Sequence, residues 1–199
     1  SLRGGKLVSY MKEMYNNAQK PIQEDRIHFV KTDATELLFR DDYFELCVAI
    51  NSFEHIPNPA EALSEMVRCT KPGGFIYIEF DPIWTADTGS HFFDRVPEPW
   101  AHLLLPQSEF ADRMTSAGAA DWEVYDFTHG MNQKSLQYFN SILCPCNLFE
   151  VLHRTTEAEW SGVVDESHLQ HPNFEACLSL GYTSAELMLR GMRTILKVV

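Results

Sequence analysis

The residues able to do chemistry gather behind short apolar runs. Leu46-Cys47-Val48-Ala49-Ile50 is a continuous apolar stretch closed by Asn51, and Ser52-Phe53-Glu54-His55 follow directly. An imidazole titrates close to neutrality, which makes His55 a candidate proton acceptor. Its competing role is to pin the loop to the following helix, and Glu54 reads as structural support. Thr32-Asp33 closes an earlier run, Ile27 to Lys31, and Asp81-Pro82 closes Phe75 to Phe80. Asp33, Asn51 and Asp81 thus end three expected strands, the place where open α/β sheets bind ligands. Between Pro82 and Pro106 the periodicity is lost, yet the stretch carries Trp84, His91, Trp100 and His102. A connection of that length is usually functional or disordered, and its aromatics argue for order. These four residues are candidates for lining a substrate site, with His91 also a candidate catalytic base; ordinary surface histidines are the alternative. Cys144-Pro-Cys146 with His153 falls short of a metal centre, because a second Cys pair is missing and tetrahedral zinc takes four ligands. No metal is assigned.

The elements that must position these groups follow from pattern. Leu7, Tyr10, Met11, Met14 and Ala18 recur at helical spacing, so Lys6 to Lys20 is expected as an amphipathic helix that Pro21 ends. Ile27 to Lys31 and Leu46 to Ile50 read as strands, the second covered on both faces. Asn58-Pro59-Ala60-Glu61 is a helix start, with an Asn cap, Pro at the first position and an acid near the positive end of the dipole. Lys71-Pro72-Gly73-Gly74 must stop that helix, and Phe75 to Phe80 follows as a strand, which completes a right-handed βαβ unit. Farther on, Ser108 to Ala117 reads as a helix, Trp122 to Phe127 as a strand, Gln133 to Leu143 and Asn147 to Trp160 as helices, and Met192 to Val199 as a last strand.

Composition bounds the rest. The 199 residues are 45% apolar and 22% charged, enough for one packed core. A single domain over residues 1–199 is expected, with an aromatic insert over 82–106 and a helical lid over 133–180. Sixteen Lys and Arg against 28 Asp and Glu give a net charge of −12, whose field repels nucleic acid and anionic membrane surfaces. No apolar run reaches the roughly 18 residues of a membrane span. An odd count of 5 cysteines at irregular spacing and an N-terminus without a signal pattern lead to a cytoplasmic expectation. Nothing in the sequence bears on oligomeric state.

Phe44 to Pro59, with Glu-His-Ile at 54–56, followed by Glu65 to Gly74 with Lys-Pro-Gly-Gly at 71–74, resembles the class I S-adenosylmethionine-dependent methyltransferases. Thr32-Asp33-Ala34 resembles that family's adenine-binding strand end, and Gly191 to Lys197 its last, antiparallel strand. The resemblance implies an α/β, Rossmann-like fold with a mostly parallel sheet. It implies S-adenosylmethionine as cofactor, with Asp33 accepting from the adenine amine, the Ala34 backbone N–H serving a ring nitrogen, and Asn51, Ser52 and Phe53 bordering the methionine part. His55 would then lie near the reactive methyl, and the partner would be a small-molecule methyl acceptor. One element departs from the pattern: no Gly-rich loop follows a first strand, so the family's first two strands are expected to be missing, and either the chain is the C-terminal portion of a longer protein, the favoured expectation, or the remaining strands close up in an unusual way. Two functions follow as expectations. One is methyl transfer to a small molecule; the alternative is a non-catalytic methyltransferase-like module acting through protein interaction.

Overall fold

The computed structural model describes residues 26–155 and 164–199. The helix expected over 6–20 lies outside them. The chain divides into two units, Ser1–Asp33 and Ala34–Val199. In the first, residues 27–32 form no strand, contrary to expectation. A β-rich run becomes a strand only where a neighbour takes its backbone groups, and the described ladders do not include 27–31.

The second unit is built on a four-stranded mixed sheet, in the order β1-β2-β4-β3. Strand β1 (Phe44–Ile50) is followed by helix α1 (Pro59–Cys69) and by β2 (Thr70–Phe80), which returns parallel to β1 with Leu46 opposite Phe75 and Ile50 opposite Glu79. This is the expected βαβ unit, with two local differences. Asn58 stands at the helix start but makes no capping bond; its amide donates to Glu61 instead at 3.3 Å. Lys71 to Gly74 belongs to the strand rather than to a separate turn, with Gly73 taking φ +79°.

After β2 come α2 (Ala101–Leu104), α3 (Gln107–Ser116), α4 (Asp121–Tyr125) with a π-helical turn over Asp126–Gly130, and α5 (Leu136–Ile142). The expected strand over 122–127 is therefore helical. Val124 and Phe127 sit three apart on one face and pack into a cluster with Phe92, Val96, Phe110 and Met114. Glu123 also closes the first turn by accepting from the Ala120 N–H at 2.8 Å, and it pairs with Arg95.

The second correction falls on residues 149–155, expected as helix and found as β3 (Phe149–Thr155). The free side of β4 (Met192–Val198) takes it up antiparallel, Phe149 opposite Val198. Among the described residues three short helices, α6 (Glu166–Leu169), α7 (Pro172–Ser179) and α8 (Ser184–Met188), lie between β3 and β4 in sequence. The stretch from 133 to 180 is thus not wholly helical.

One face of the sheet is dry. Ile76, Ile78 and Phe80 of β2 and Met192, Leu196 and Val198 of β4 pack with Leu63 and Met66 of α1 and Phe139 of α5. The opposite face leaves Leu46, Val48, Ile50 and Phe75 about half exposed. Arg68 of α1 fastens the approach to β1, donating to the carbonyls of Leu37 and Phe39 and to the carboxylates of Asp41 and Glu65 at 2.7 to 3.0 Å. These bonds hold the Glu65 carboxyl below its usual range.

The segment after Pro82 folds tightly on itself. A Cβ at Gly89 would stand 2.2 Å from the Trp84 carbonyl oxygen and 2.6 Å from its carbon, both backbone atoms that cannot swing aside. Gly89→Ala is therefore expected to lower stability by about 2 to 3 kcal/mol, the range of overpacking. Urea unfolding checks this; a midpoint equal to that of the parent would show that the segment yields.

Candidate active site

The loop that leaves β1 works on two sides. Ser52, Phe53 and Ile56 line a cavity of about 360 Å³, together with residues of β1 and with Ala62 and Met66 of α1. Both faces of β1 contribute, Leu46 and Val48 from one and Cys47 and Ala49 from the other. The cavity therefore runs along the edge of β1 that points away from β2, and Ala34 and Leu37 close it. Its lining is apolar apart from Ser52, whose hydroxyl donates to the Ile50 carbonyl at 2.8 Å. Such a trough suits a flat hydrophobic ring.

Of the residues expected to meet a cofactor, Ala34, Ser52 and Phe53 are on this cavity. Phe53 also reaches the core, where it stacks on Phe80 at 6.5 Å. Asn51 takes a left-handed conformation, φ 45°, and its N–H donates to the Glu79 carbonyl at 2.8 Å. That kink turns the chain sharply at the end of β1. Asp33, exposed, ends the first unit and is described with it alone.

The same loop sends Glu54 and His55 the other way. His55 Nδ1–H donates to the Gly130 carbonyl at 3.0 Å, and the His55 ring meets that of His91 edge to face at 5.3 Å. The two candidate bases are thus neighbours, which the sequence alone did not reveal. His91, at φ 65°, directs its Nε2 to the Pro82 carbonyl at 3.4 Å. Burial pushes its pKa down to about 4, with the adjacent His55 adding to the effect. Glu54 is the residue the sequence undervalued: it is 3% exposed, and His55 Nε2 stands 3.9 Å from its Oε1. Burial raises its pKa, its own backbone N–H and His55 oppose this, and nearby Asp81, itself raised by burial, adds to it.

The aromatic insert divides between these neighbours and the core. Trp84 is partly buried and packs edge to face on His102 at 4.8 Å. Trp100 is fully enclosed with Val164, Cys177 and Leu187, so it serves packing in place of the substrate contact expected of it. His102 is likewise buried, its Nε2–H donating to the Trp84 carbonyl at 2.7 Å. It holds the insert together rather than facing a substrate. Asp87, fully enclosed, anchors the same segment to the chain end, accepting from Arg190 at 2.9 and 2.6 Å and from His168 Nδ1 at 2.7 Å.

A pH dependence follows from His102. In the unfolded chain a histidine takes its proton near 6.5, whereas burial pushes folded His102 down to about 4. Between these values the unfolded chain binds more protons, so stability is complete above about pH 6.5 and falls as the pH drops toward 4. His91 contributes with the same sign. His102→Gln should flatten this part of the stability profile, measured by thermal melting at stepped pH; an unchanged slope would contradict the assignment.

Among the described residues no helix is long and apolar enough to cross a membrane. Cys144 and Cys146 are exposed, and His153 Nε2 shares a 2.7 Å hydrogen bond with the Thr155 hydroxyl.

Comparison with known proteins bears on the βαβ half. Residues 6–78 match the family model of a methyltransferase domain. An uncharacterized methyltransferase of Mycobacterium leprae is 38% identical over 63 residues, 32% of this chain and 23% of the relative. One of Mycobacterium tuberculosis is 36% identical over 63 residues, 32% of this chain and 24% of its own length. The matched part thus spans about a quarter of these relatives. Among solved structures, a SAM-dependent methyltransferase of Methanosarcina mazei aligns with 85% of this chain and 66% of its own, at 17% identity and a TM-score of 0.43. The YcgJ protein of Bacillus subtilis aligns with 88% of this chain and 74% of its own, at 14% identity and a TM-score of 0.44.

Proposed function

We infer that this chain, whose residues 6–78 match the family model of a methyltransferase domain, serves S-adenosylmethionine-dependent methyl transfer to a small-molecule acceptor within the whole protein. The observation that supports this best is the two-sided loop after β1. Ser52, Phe53 and Ile56 face the cavity while His55 meets His91, so one short segment joins a ring-sized trough to a pair of imidazoles. S-adenosylmethionine, when bound, supplies an electrophilic methyl on a sulfonium. The apolar lining fits its adenine ring. In this reading Ala34, Asn51, Ser52 and Phe53 hold the donor.

The protein's own contribution is position and proton handling. Methyl displacement gains most from holding the two reactants in line, which a kinked Asn51 and a core-anchored Phe53 favour by fixing the loop. His55, its ring oriented by the Gly130 carbonyl, presents Nε2 to take the acceptor's proton. Trp84 and His91 are the members of the insert left to border the acceptor.

Ser52→Trp fills the cavity from a loop position and is expected to weaken donor binding at least tenfold, read by equilibrium dialysis with radiolabelled S-adenosylmethionine. Unchanged affinity would place the donor elsewhere. A second reading, a non-catalytic module that binds a protein, draws support from the exposed apolar row Leu46, Val48 and Ile50 on β1 beside Phe75. The two readings part on donor binding, which only the first requires.

A further inference from the structure

We propose that Cys144 and Cys146 form a dithiol redox site, which takes a low-molecular-weight disulfide as its substrate and closes to a disulfide between its own two sulfurs. Neither residue lines the cavity along β1, and the site stands whether or not the methyl-transfer reading holds.

The five cysteines divide by their surroundings. Cys69 and Cys177 are buried, and burial pushes both thiols up, Cys177 to about 11, so that little reactive thiolate forms near neutrality. Cys47 is half-buried on β1, and the Thr70 hydroxyl donates to its sulfur at 3.1 Å. Cys144 and Cys146 are exposed, with Pro145 between them. Thiol–disulfide exchange requires access to the attacking sulfur, which this pair has. Among the described residues no group of three or more His, Cys, Asp or Glu is placed to hold a metal ion, so the chemistry open to the two thiols is with each other.

The fold fastens both ends of the loop that carries them. Arg154 of β3 donates to the Leu143 carbonyl, just ahead of Cys144, and the Cys146 N–H donates to the Phe149 carbonyl at 3.2 Å. Leu143 and Phe149 are themselves core residues. Two residues of chain span at most about 7 Å between Cα atoms. Pro145, whose ring locks φ near −65°, keeps the pair short of that limit. A disulfide takes a Cα separation of about 4.4 to 6.8 Å, so side-chain rotation can bring the sulfurs together. Bridging across a single residue strains the ring, and strained, exposed disulfides are the readily reduced ones. The bond is therefore reversible rather than structural.

The exchange balances in two steps. The thiolate of one cysteine attacks a sulfur of the small disulfide, whose S–S bond breaks with its pair on the departing thiolate. The thiolate of the other cysteine then attacks the sulfur now joined to the first. The Cys144–Cys146 bond forms, and the second small thiolate leaves with the pair of the mixed disulfide. The two cysteines give up two electrons and two protons, and the small disulfide is reduced to two thiols.

The test exposes the reduced full-length protein to excess oxidised glutathione, blocks free thiols with N-ethylmaleimide in acid, and weighs the peptide that carries Cys144 and Cys146. The expected peptide is lighter by two hydrogens than its dithiol form, carries neither glutathione nor maleimide, and reopens with reduced glutathione. In Cys144→Ser and in Cys146→Ser the remaining thiol should keep one glutathione, because no neighbour displaces it. Both positions are exposed, and the parent peptide reads the outcome without either variant. A parent peptide that stays a dithiol, or that holds a stable glutathione on each sulfur, would overturn the proposal. So would a single variant whose remaining cysteine is bridged to another part of the protein.

Discussion

Replacing Asp87 by alanine is expected to lower the unfolding free energy by about 3 kcal/mol, the low end of the range for breaking a buried pair. Asp87 is wholly enclosed and holds Arg190 through two hydrogen bonds and His168 through one, which ties the segment after Pro82 to the end of the chain. Its loss leaves a guanidinium half sunk in protein without its carboxylate, and removes the acceptor of the Thr88 N–H at 2.9 Å. The low end applies because Arg190 keeps some contact with water, at 22% exposure. Combining Asp87→Ala with Arg190→Met should cost less than the sum of the two, since the second change removes the stranded charge. Guanidinium unfolding of the four proteins of that cycle gives the number. Strict additivity would mean that the pair is not coupled.

The second large effect concerns His55. With an acceptor in hand, His55→Gln is expected to reduce kcat by about 100-fold or more, within the 10²–10⁴ that a positioned general base supplies. Donor binding should be retained, because His55 does not line the cavity along β1. A kcat within threefold of the parent would show that the acceptor needs no base, and would leave His55 as the pin between its loop and Gly130.

How much of this could be read from the sequence depends on whether the deciding force was local. β1, α1, β2 and β4 were legible because short apolar runs and Pro59 at a helix start act within a few residues, although β2 begins at Thr70, ahead of the Lys-Pro-Gly-Gly that was expected to bound it. Residues 149–155 were misread because their pattern is ambiguous and the open edge of β4, more than 35 positions away in the chain, settled the matter; tertiary pairing commonly overrides local preference in strands. Residues 122–127 were misread because Val124 and Phe127 satisfy a helical face as well as a strand, and the Ala120–Glu123 cap tips the balance. Within the site, His55 and His91 were each visible as candidates, but their meeting depends on a left-handed His91 that no flanking glycine announced. Glu54 read only as structural support, with nothing to mark its burial. An acid after a strand looks the same whether water solvates it or the fold encloses it, and only the packed structure shows that both oxygens are dry.

His102 and Trp100 teach the converse. An aromatic-rich stretch without periodicity looked like a wall for a substrate, and part of it is instead a small core of its own. His102 holds the Trp84 carbonyl, and Asp87 fastens the segment to His168 and Arg190.

The claim on which the account turns is that the cavity along β1 holds the methyl donor. Calorimetric titration of the full-length protein with S-adenosylhomocysteine, beside its Ser52→Trp variant, tests it most directly. Saturable one-to-one heat in the parent, reduced at least tenfold in affinity by the variant, is the predicted result. No heat in the parent, or equal binding by both, would contradict it.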